Sequence, residues 1–371
     1  MNNKGAPALD RGEGMNTFAM LDARPAAART PLPGSIHSLY GALDLGTNNC
    51  RLLIAKPSHD GFRIVDSFSR IVRLGEGLAL TGRLCPDAIA RTMAALTVCR
   101  DKLRARGVAR MHLVATEACR AASNGAAFIA RVADELGLDL DVVDRETEAT
   151  LAASGCAALA DRQAGSVLLF DIGGGSSELV WLDGQSRCAG RDGASVKKRI
   201  RSWTSLPLGV VTLADRFGGR DVDAEVFEAM VSFVTEAMAG FIAETGGNDR
   251  CDRFHLLGTS GTVTTVAGVF LSLPRYDRRQ VDGLWMSQGE VSAAMERLRA
   301  MSFDARAAHG CIGPDRADLV LAGCAILEAI RRAFPCDRLR IADRGLREGI
   351  LMKMMQRDDA WARLPGARRG W

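Results

Sequence analysis

The sequence predicts an α/β protein of two similar lobes that face each other across a cleft. Three observations carry that expectation. A strand, an Asp-x-Gly turn and a second strand occur at Gly41–Ala55 and recur at Ser166–Asp183. Around them, short apolar runs alternate with segments of helical periodicity, as in α/β folds with parallel sheets. A further glycine turn, Gly258-Thr259-Ser260-Gly261-Thr262, leads from an apolar run into a helix-like one.

The elements follow in order. GALDLGTNNCRLLIA places a Gly-Thr-Asn-Asn turn between two apolar strands, the residues expected where φ turns positive. FRIVDSFSRIVRL continues the strand pattern. Pro86 to Arg106 has helical period, with Ile89, Met93, Leu96 and Leu103 on one face. MHLVAT and LDLDVVD read as strands, and Ala126 to Leu136 and Glu146 to Ala160 as helices. In SVLLFDIGGGSSELVWLD, aligning Asp171 with Asp44 matches Gly173 with Gly46, Leu179 with Leu52 and Val180 with Leu53. A repeated α/β unit implies two lobes. Arg191 to Trp203 reads as a polar insertion containing Lys197, Lys198, Arg199 and Arg201. Asp223 to Thr245 and Arg316 to Phe334 read as helices, and LRIADRGLREGILMKMM as strand, turn and helix. The expected layout is a disordered leader over 1–38 and a first lobe over 39–158, joined by a returning helix at about 346–357. A second lobe over 159–345 and a disordered tail over 358–371 complete it.

Composition narrows the function classes. Of 371 residues, 47% are hydrophobic but only 5% aromatic, so the cores must be aliphatic. Scarce aromatics argue against a base-stacking surface for single-stranded nucleic acid. A net charge of +4 is weaker than the clustered bias of DNA-binding domains. The ten cysteines include no Cys-x-x-Cys clip, which points to free thiols in a reducing cytoplasm rather than zinc or disulfides. No uninterrupted apolar run reaches the ~18 residues of a membrane span. His37, His59, His112, His255 and His309 show no metal-ligand spacing, and His112 and His255, in apolar strands, read as core.

Handling phosphate requires backbone N–H groups close to anionic oxygens, which glycines permit, and a carboxylate that can hold a divalent cation. Asp44 with Gly46, Thr47 and Asn48, and Asp171 with Gly173, Gly174, Gly175 and Ser176, supply both requirements twice. Either motif alone is an ordinary hairpin turn; a matched pair would clamp one phosphate chain. Gly258, Ser260, Gly261 and Thr262 add a third turn, at a helix N-terminus where free N–H groups favour anions.

DLGTNN, DIGGGSSE and GTSGT, in this order, resemble the phosphate and nucleoside loops of the actin-like ATPase superfold. Within it, ALDLGTNNCRLLIA, VATEACRAASN, RETEATLAASG, FDIGGGSSELV, SLPLGVVTL, RADLVLAGCAIL and DRGLREGIL resemble the exopolyphosphatase/guanosine pentaphosphate phosphatase (Ppx/GppA) family in its short, two-domain form. The resemblance implies two actin-like, ribonuclease H-like lobes and release of terminal phosphate from inorganic polyphosphate or guanosine pentaphosphate, with Mg²⁺ or Mn²⁺. It implies a cytoplasmic homodimer acting on neither nucleic acid nor membrane. Glu148 matches the family's general base, Asp171 and Glu178 its acids near metal and water, and Asp44 a metal support. Arg51, Arg73 and Arg120, each inside a family-like segment, become candidates to neutralise phosphate oxygens. Asn124 becomes a possible hydrogen-bond donor, and Arg347 reads equally as structural.

Two departures stand out. Where the family often has Glu-Glu-Ala-Arg, this chain reads Glu146-Thr147-Glu148-Ala149-Thr150, without the arginine. The basic run Lys197–Arg201 is longer than the pattern expects, and reads as a solvated loop or a polyanion-binding arm. Two other functions fit the same fold: an ATP-dependent small-molecule kinase, which would need an adenine pocket and an acceptor site, and a sensor that binds polyphosphate or alarmone nucleotide without turnover.

Overall fold

A computed structural model describes residues 38–184, 193–246 and 253–364. Most of the expected leader, Cys188, Cys251, the start of the polar insertion and residues 365–371 lie outside them.

The first sheet contains β1 (Tyr40–Leu45), β2 (Asn49–Ser58), β3 (Gly61–Ile71), β4 (Arg110–Ala115) and β5 (Leu140–Val142) in the order β3-β2-β1-β4-β5. The second contains β6 (Ser166–Ile172), β7 (Ser177–Asp183), β8 (Ile200–Leu206), β9 (Phe254–Thr259), β10 (Trp285–Ser287) and β11 (Arg338–Ala342) in the order β10-β11-β9-β6-β7-β8. Without the edge strand β10, the second order is the first repeated. Each sheet starts with an antiparallel hairpin, β1/β2 or β6/β7, extended by an antiparallel third strand. Parallel strands then add on the other side, β4 and β5 in one sheet, β9 and β11 in the other. This shared topology makes the molecule two actin-like α/β lobes.

Four helices position the cleft: α1 (Arg145–Cys156), α2 (Val210–Phe217), α3 (Gly261–Phe270) and α4 (Leu346–Arg357). Asp144 starts α1 by accepting the Thr147 N–H at 2.7 Å, and Glu146 and Glu148 in its first turn suit the positive helix end. Alanines and one glycine give α1 a thin face. Added Cβ atoms at Gly155 and Gly349 would lie 2.0 Å from the Gly345 carbonyl and 1.9 Å from the Leu151 carbonyl, so α1 and α4 touch backbone to backbone.

These two helices join the lobes. Ala149, Ala153 and Cys156 of α1 pack with Val167, Leu169 and Val180 of the second sheet. Leu346, Ile350, Leu351 and Met355 of α4 pack with Tyr40, Ala42 and Leu53 of the first. Leu151 of α1 packs with Tyr40, Ala42 and Leu53 as well, so α1 serves both lobes.

Some element expectations change. The polar insertion contains a short helix, Gly193–Arg199, and then β8, whose exposed edge position hid its strand character. In the run expected to be helical from Arg316, the helix begins only at Val320, after a 3₁₀ turn at Pro314–Arg316. The tail expected to be disordered from 358 is anchored at its start. Asp358 accepts from Arg110 at 2.5 and 2.8 Å and from the Tyr40 hydroxyl at 3.1 Å, and the Trp361 indole N–H donates to the Gly61 carbonyl. By length and composition, the Ala224–Thr245 helix is apolar enough to cross a membrane; Phe227, Met230, Val234, Met238 and Phe241 of that helix are buried in the second core. The eight described cysteines are free. His255 is fully buried, whereas His112 is half-exposed beside Asp141.

Candidate active site

The two hairpins meet at their turns. Gly46 N–H donates to the Asn49 carbonyl at 2.9 Å, and Gly173 N–H to the Ser176 carbonyl at 2.9 Å, closing the same turn in each copy. A Cβ on Gly174 would lie 3.0 Å from the Asn48 nitrogen, and one on Gly175 would lie 2.6 Å from the Thr47 hydroxyl. The triple glycine thus lets the second turn seat directly on the first. Behind it, the Gly173 and Gly174 carbonyls accept the Val210 and Val211 N–H groups at the start of α2, at 2.9 and 2.8 Å. These bonds fix the loop against a rigid helix end.

At equivalent places on the two hairpins, β1/β2 sets Asp44 opposite Arg51, while β6/β7 sets Asp171 opposite Glu178. Together they line a cavity of about 120 Å³. Of the residues expected from the sequence, Gly46, Thr47, Asn48, Glu148, Gly173, Gly174, Gly175, Ser176, Ser260, Gly261 and Thr262 also line it. Ser260 holds a positive φ of 116°, unusual without glycine, and its hydroxyl caps α3 by accepting the Thr262 N–H at 3.2 Å.

Four expected residues stand elsewhere. Arg73 is held across the lobes by Asp318, with two bonds of 2.7 and 2.9 Å, and does not line the cavity. Arg120 bonds Glu117 at 2.5 Å, the Val143 carbonyl at 2.6 Å and Glu148 at 3.1 Å, so its guanidinium is committed to orienting a carboxylate. Gly258 lies inside β9, where a Cβ would strike the Phe170 ring at 2.5 Å; it serves packing. Asn124 ties the Leu84 backbone through both amide atoms.

Sequence reading missed Arg316. It reaches the cavity because the 3₁₀ turn, not a helix, carries it, and its Nη1 lies 3.3 Å from where a Gly261 Cβ would be. Its segment is family-like, but the helical periodicity of the run obscures the side chain's direction. Thr116 and Thr265 also line the cavity, with no signal beyond their neighbours.

Burial dominates the electrostatics. It pushes the Glu148 carboxyl up to about 7, against the lowering effect of Arg120, with Asp44 and Asp171 adding to the rise. It pushes Asp171 up to about 6, with Asp44 the next cause. Asp44 and Glu178 are raised for the same reason. Burial, then the Arg51 charge, lowers the Arg316 guanidinium. Acids and guanidiniums thus crowd one buried space in which burial, and like charge after it, disfavours the ionised carboxyls, an arrangement relieved by a cation and an anion binding together.

Among the described residues, no group of three or more His, Cys, Asp and Glu side chains forms a ready metal cage. The available donors are carboxylate oxygens, and Asn48 Oδ1 is buried here without a hydrogen-bond partner. Such a set fits Mg²⁺ or Mn²⁺, hard ions that take one or two carboxylates, keep waters and share substrate phosphates.

The family model for Ppx/GppA phosphatases matches residues 53–358. The chain belongs to the Ppx/GppA phosphatase family. Exopolyphosphatase 2 of Mycobacterium tuberculosis is 28% identical over 330 residues, covering 84% of this chain and 97% of that protein. A guanosine-5'-triphosphate,3'-diphosphate pyrophosphatase of Photobacterium profundum is 27% identical over 327 residues, covering 87% of this chain but 60% of the relative. A crystal structure of the Aquifex aeolicus Ppx/GppA family member superposes with a TM-score of 0.69 at 27% identity, covering 87% of this chain and 99% of the other.

Proposed function

We propose that this Ppx/GppA phosphatase releases terminal orthophosphate from inorganic polyphosphate, or hydrolyses guanosine pentaphosphate to the tetraphosphate. The observation that carries the reading is the pairing of a buried carboxyl poised near 7, Glu148, with two phosphate-type turns in one cavity. The attacking water would lie beside Glu148, which takes its proton as the water oxygen bonds the terminal phosphorus. The bridging P–O bond breaks, and its electrons leave with the shortened chain. Arg120, itself held by Glu117, keeps Glu148 oriented. Backbone groups of Gly46–Asn48, Gly173–Ser176 and Ser260–Thr262, with Arg51 and Arg316, would hold phosphate oxygens, since phosphoryl transfer is mainly positioning and electrostatics. Asp44, Asp171 and Glu178 would hold Mg²⁺ or Mn²⁺, directly or through water, and the bound ion would neutralise phosphate charge.

The same reading includes a division into lobes near residue 158, with α1 and α4 as the connecting pair. It also includes a homodimer, which rests on resemblance alone, and a cytoplasmic setting, supported by the free thiols. Neither nucleic acid nor membrane has a part in it. The test is phosphate release by purified protein with Mg²⁺, offered long polyphosphate, guanosine pentaphosphate and ATP. Release from either of the first two supports the assignment. Binding of both without release would replace it with a sensor, and transfer from ATP to an acceptor with a kinase.

A further inference from the structure

A second cavity, of about 400 Å³, adjoins the first. The two share Asp44, Arg51, Asp171, Ser260, Gly261 and Arg316, so they meet at the acids and arginines of the site. Glu148, Glu178 and the triple-glycine turn line only the smaller cavity. The larger continues between β3 and the start of α4, where it is lined by Ser67, Ser69, Tyr276, Asp343 and Arg347. Ser67 and Ser69 are exposed and mark a mouth to solvent.

Its charges are unevenly committed. Arg278 pairs with Glu348 at 3.1 Å and Asp343 at 3.3 Å, and Arg344 with Asp282 at 2.7 Å. Arg51 and Arg347 also line it; both lie close enough to Asp44 for their charges to act on its carboxyl, without a salt bridge within 4 Å among the described residues. The guanidiniums of Arg51, Arg347 and, at the junction, Arg316 thus line one space, and guanidiniums so gathered suit a compact dianion.

An exohydrolase holds the terminal phosphate innermost, so each orthophosphate is freed behind the shortened chain. It can leave only after that chain does, or by another route. We propose that the second cavity is an orthophosphate site and rear exit, which lets the phosphate leave while the chain stays in the front cleft. The proposal rests on the hydrolase reading above, but phosphate occupancy of the rear cavity can be measured without turnover.

The experiment is calorimetric titration of orthophosphate into the full chain, alone and with a methylene-bridged triphosphate occupying the front cleft. It is repeated on Arg347→Gln, and on Ser69→Trp, a surface substitution that narrows the mouth. Orthophosphate should still bind with the front cleft filled, about tenfold more weakly in Arg347→Gln, the loss expected for one charge-assisted contact. In Ser69→Trp, polyphosphate digestion should accumulate intermediate chain lengths while the first phosphate is released at the normal rate. If the analogue abolishes orthophosphate binding and Arg347→Gln binds it normally, the rear site does not exist. If the analogue fails to bind but Arg347→Gln still weakens orthophosphate, the rear site stands and the hydrolase reading falls.

Discussion

The two hairpins have the same turn and register but opposite partners. β1/β2 pairs Asp44 with Arg51; β6/β7 pairs Asp171 with Glu178. In the first pair the Arg51 charge partly offsets the burial that raises Asp44; in the second, burial raises both carboxyls, and Glu178 is further raised by Glu148 and Asp171. A duplicated unit has thus diverged at one cross-strand position, a guanidinium in one hairpin and a carboxyl in the other, which on the proposed reading would serve phosphate and metal or water respectively. The scaffold is shared, and the two hairpins differ in the sign of one residue.

Breaking the acidic pair should have the largest effect. Glu178→Gln keeps a polar group near Ser205, which now donates to Glu178 at 2.9 Å, but removes the charge. It should lower kcat/KM by about 100-fold or more in a steady-state phosphate-release assay. Altering the opposite hairpin should do less and act differently. Arg51→Gln should raise KM by about tenfold through loss of one charge-assisted phosphate contact. An effect on kcat alone would move Arg51 out of substrate binding.

The smallest effect sharpens the comparison through stability. Because the folded Asp171 carboxyl sits near 6 against an ordinary 3.8, the native state binds its proton more tightly than the unfolded state. Asp171 is therefore least costly below pH ~4; its cost grows as pH rises to about 6 and persists above. Asp171→Asn should stabilise metal-free protein at pH 8 by on the order of 1 kcal/mol, seen as a higher Tm, and change little at pH 4. A lower Tm at pH 8 would mean that the acidic pair is structurally satisfied.

Much of this was legible in the chain because it is local. An Asp-x-Gly turn between apolar strands specifies a hairpin, and its recurrence specifies the second lobe. Glu148, Asp171 and Glu178 could be named because their segments carry their own pattern. The commitments of arginines were not legible. Arg73, Arg120 and Arg316 sit in equally suggestive segments, yet Asp318 claims the first, Glu117 and Glu148 the second, and a 3₁₀ turn swings the third into the cleft. Each outcome depends on a partner or turn that periodicity does not encode. Likewise, the close approach of α1 and α4 is a tertiary contact at Gly155 and Gly349, which look like ordinary helical glycines in sequence.

The most direct test of the site is orthophosphate release from polyphosphate and guanosine pentaphosphate across pH 5 to 9, by wild type and Glu148→Gln. Wild-type kcat/KM should fall as pH drops through about 7, where Glu148 takes up its proton. Glu148→Gln should be slower by at least about 100-fold, lose that limb and bind substrate as before. Near-normal release by Glu148→Gln, with the same dependence on pH, would contradict the account.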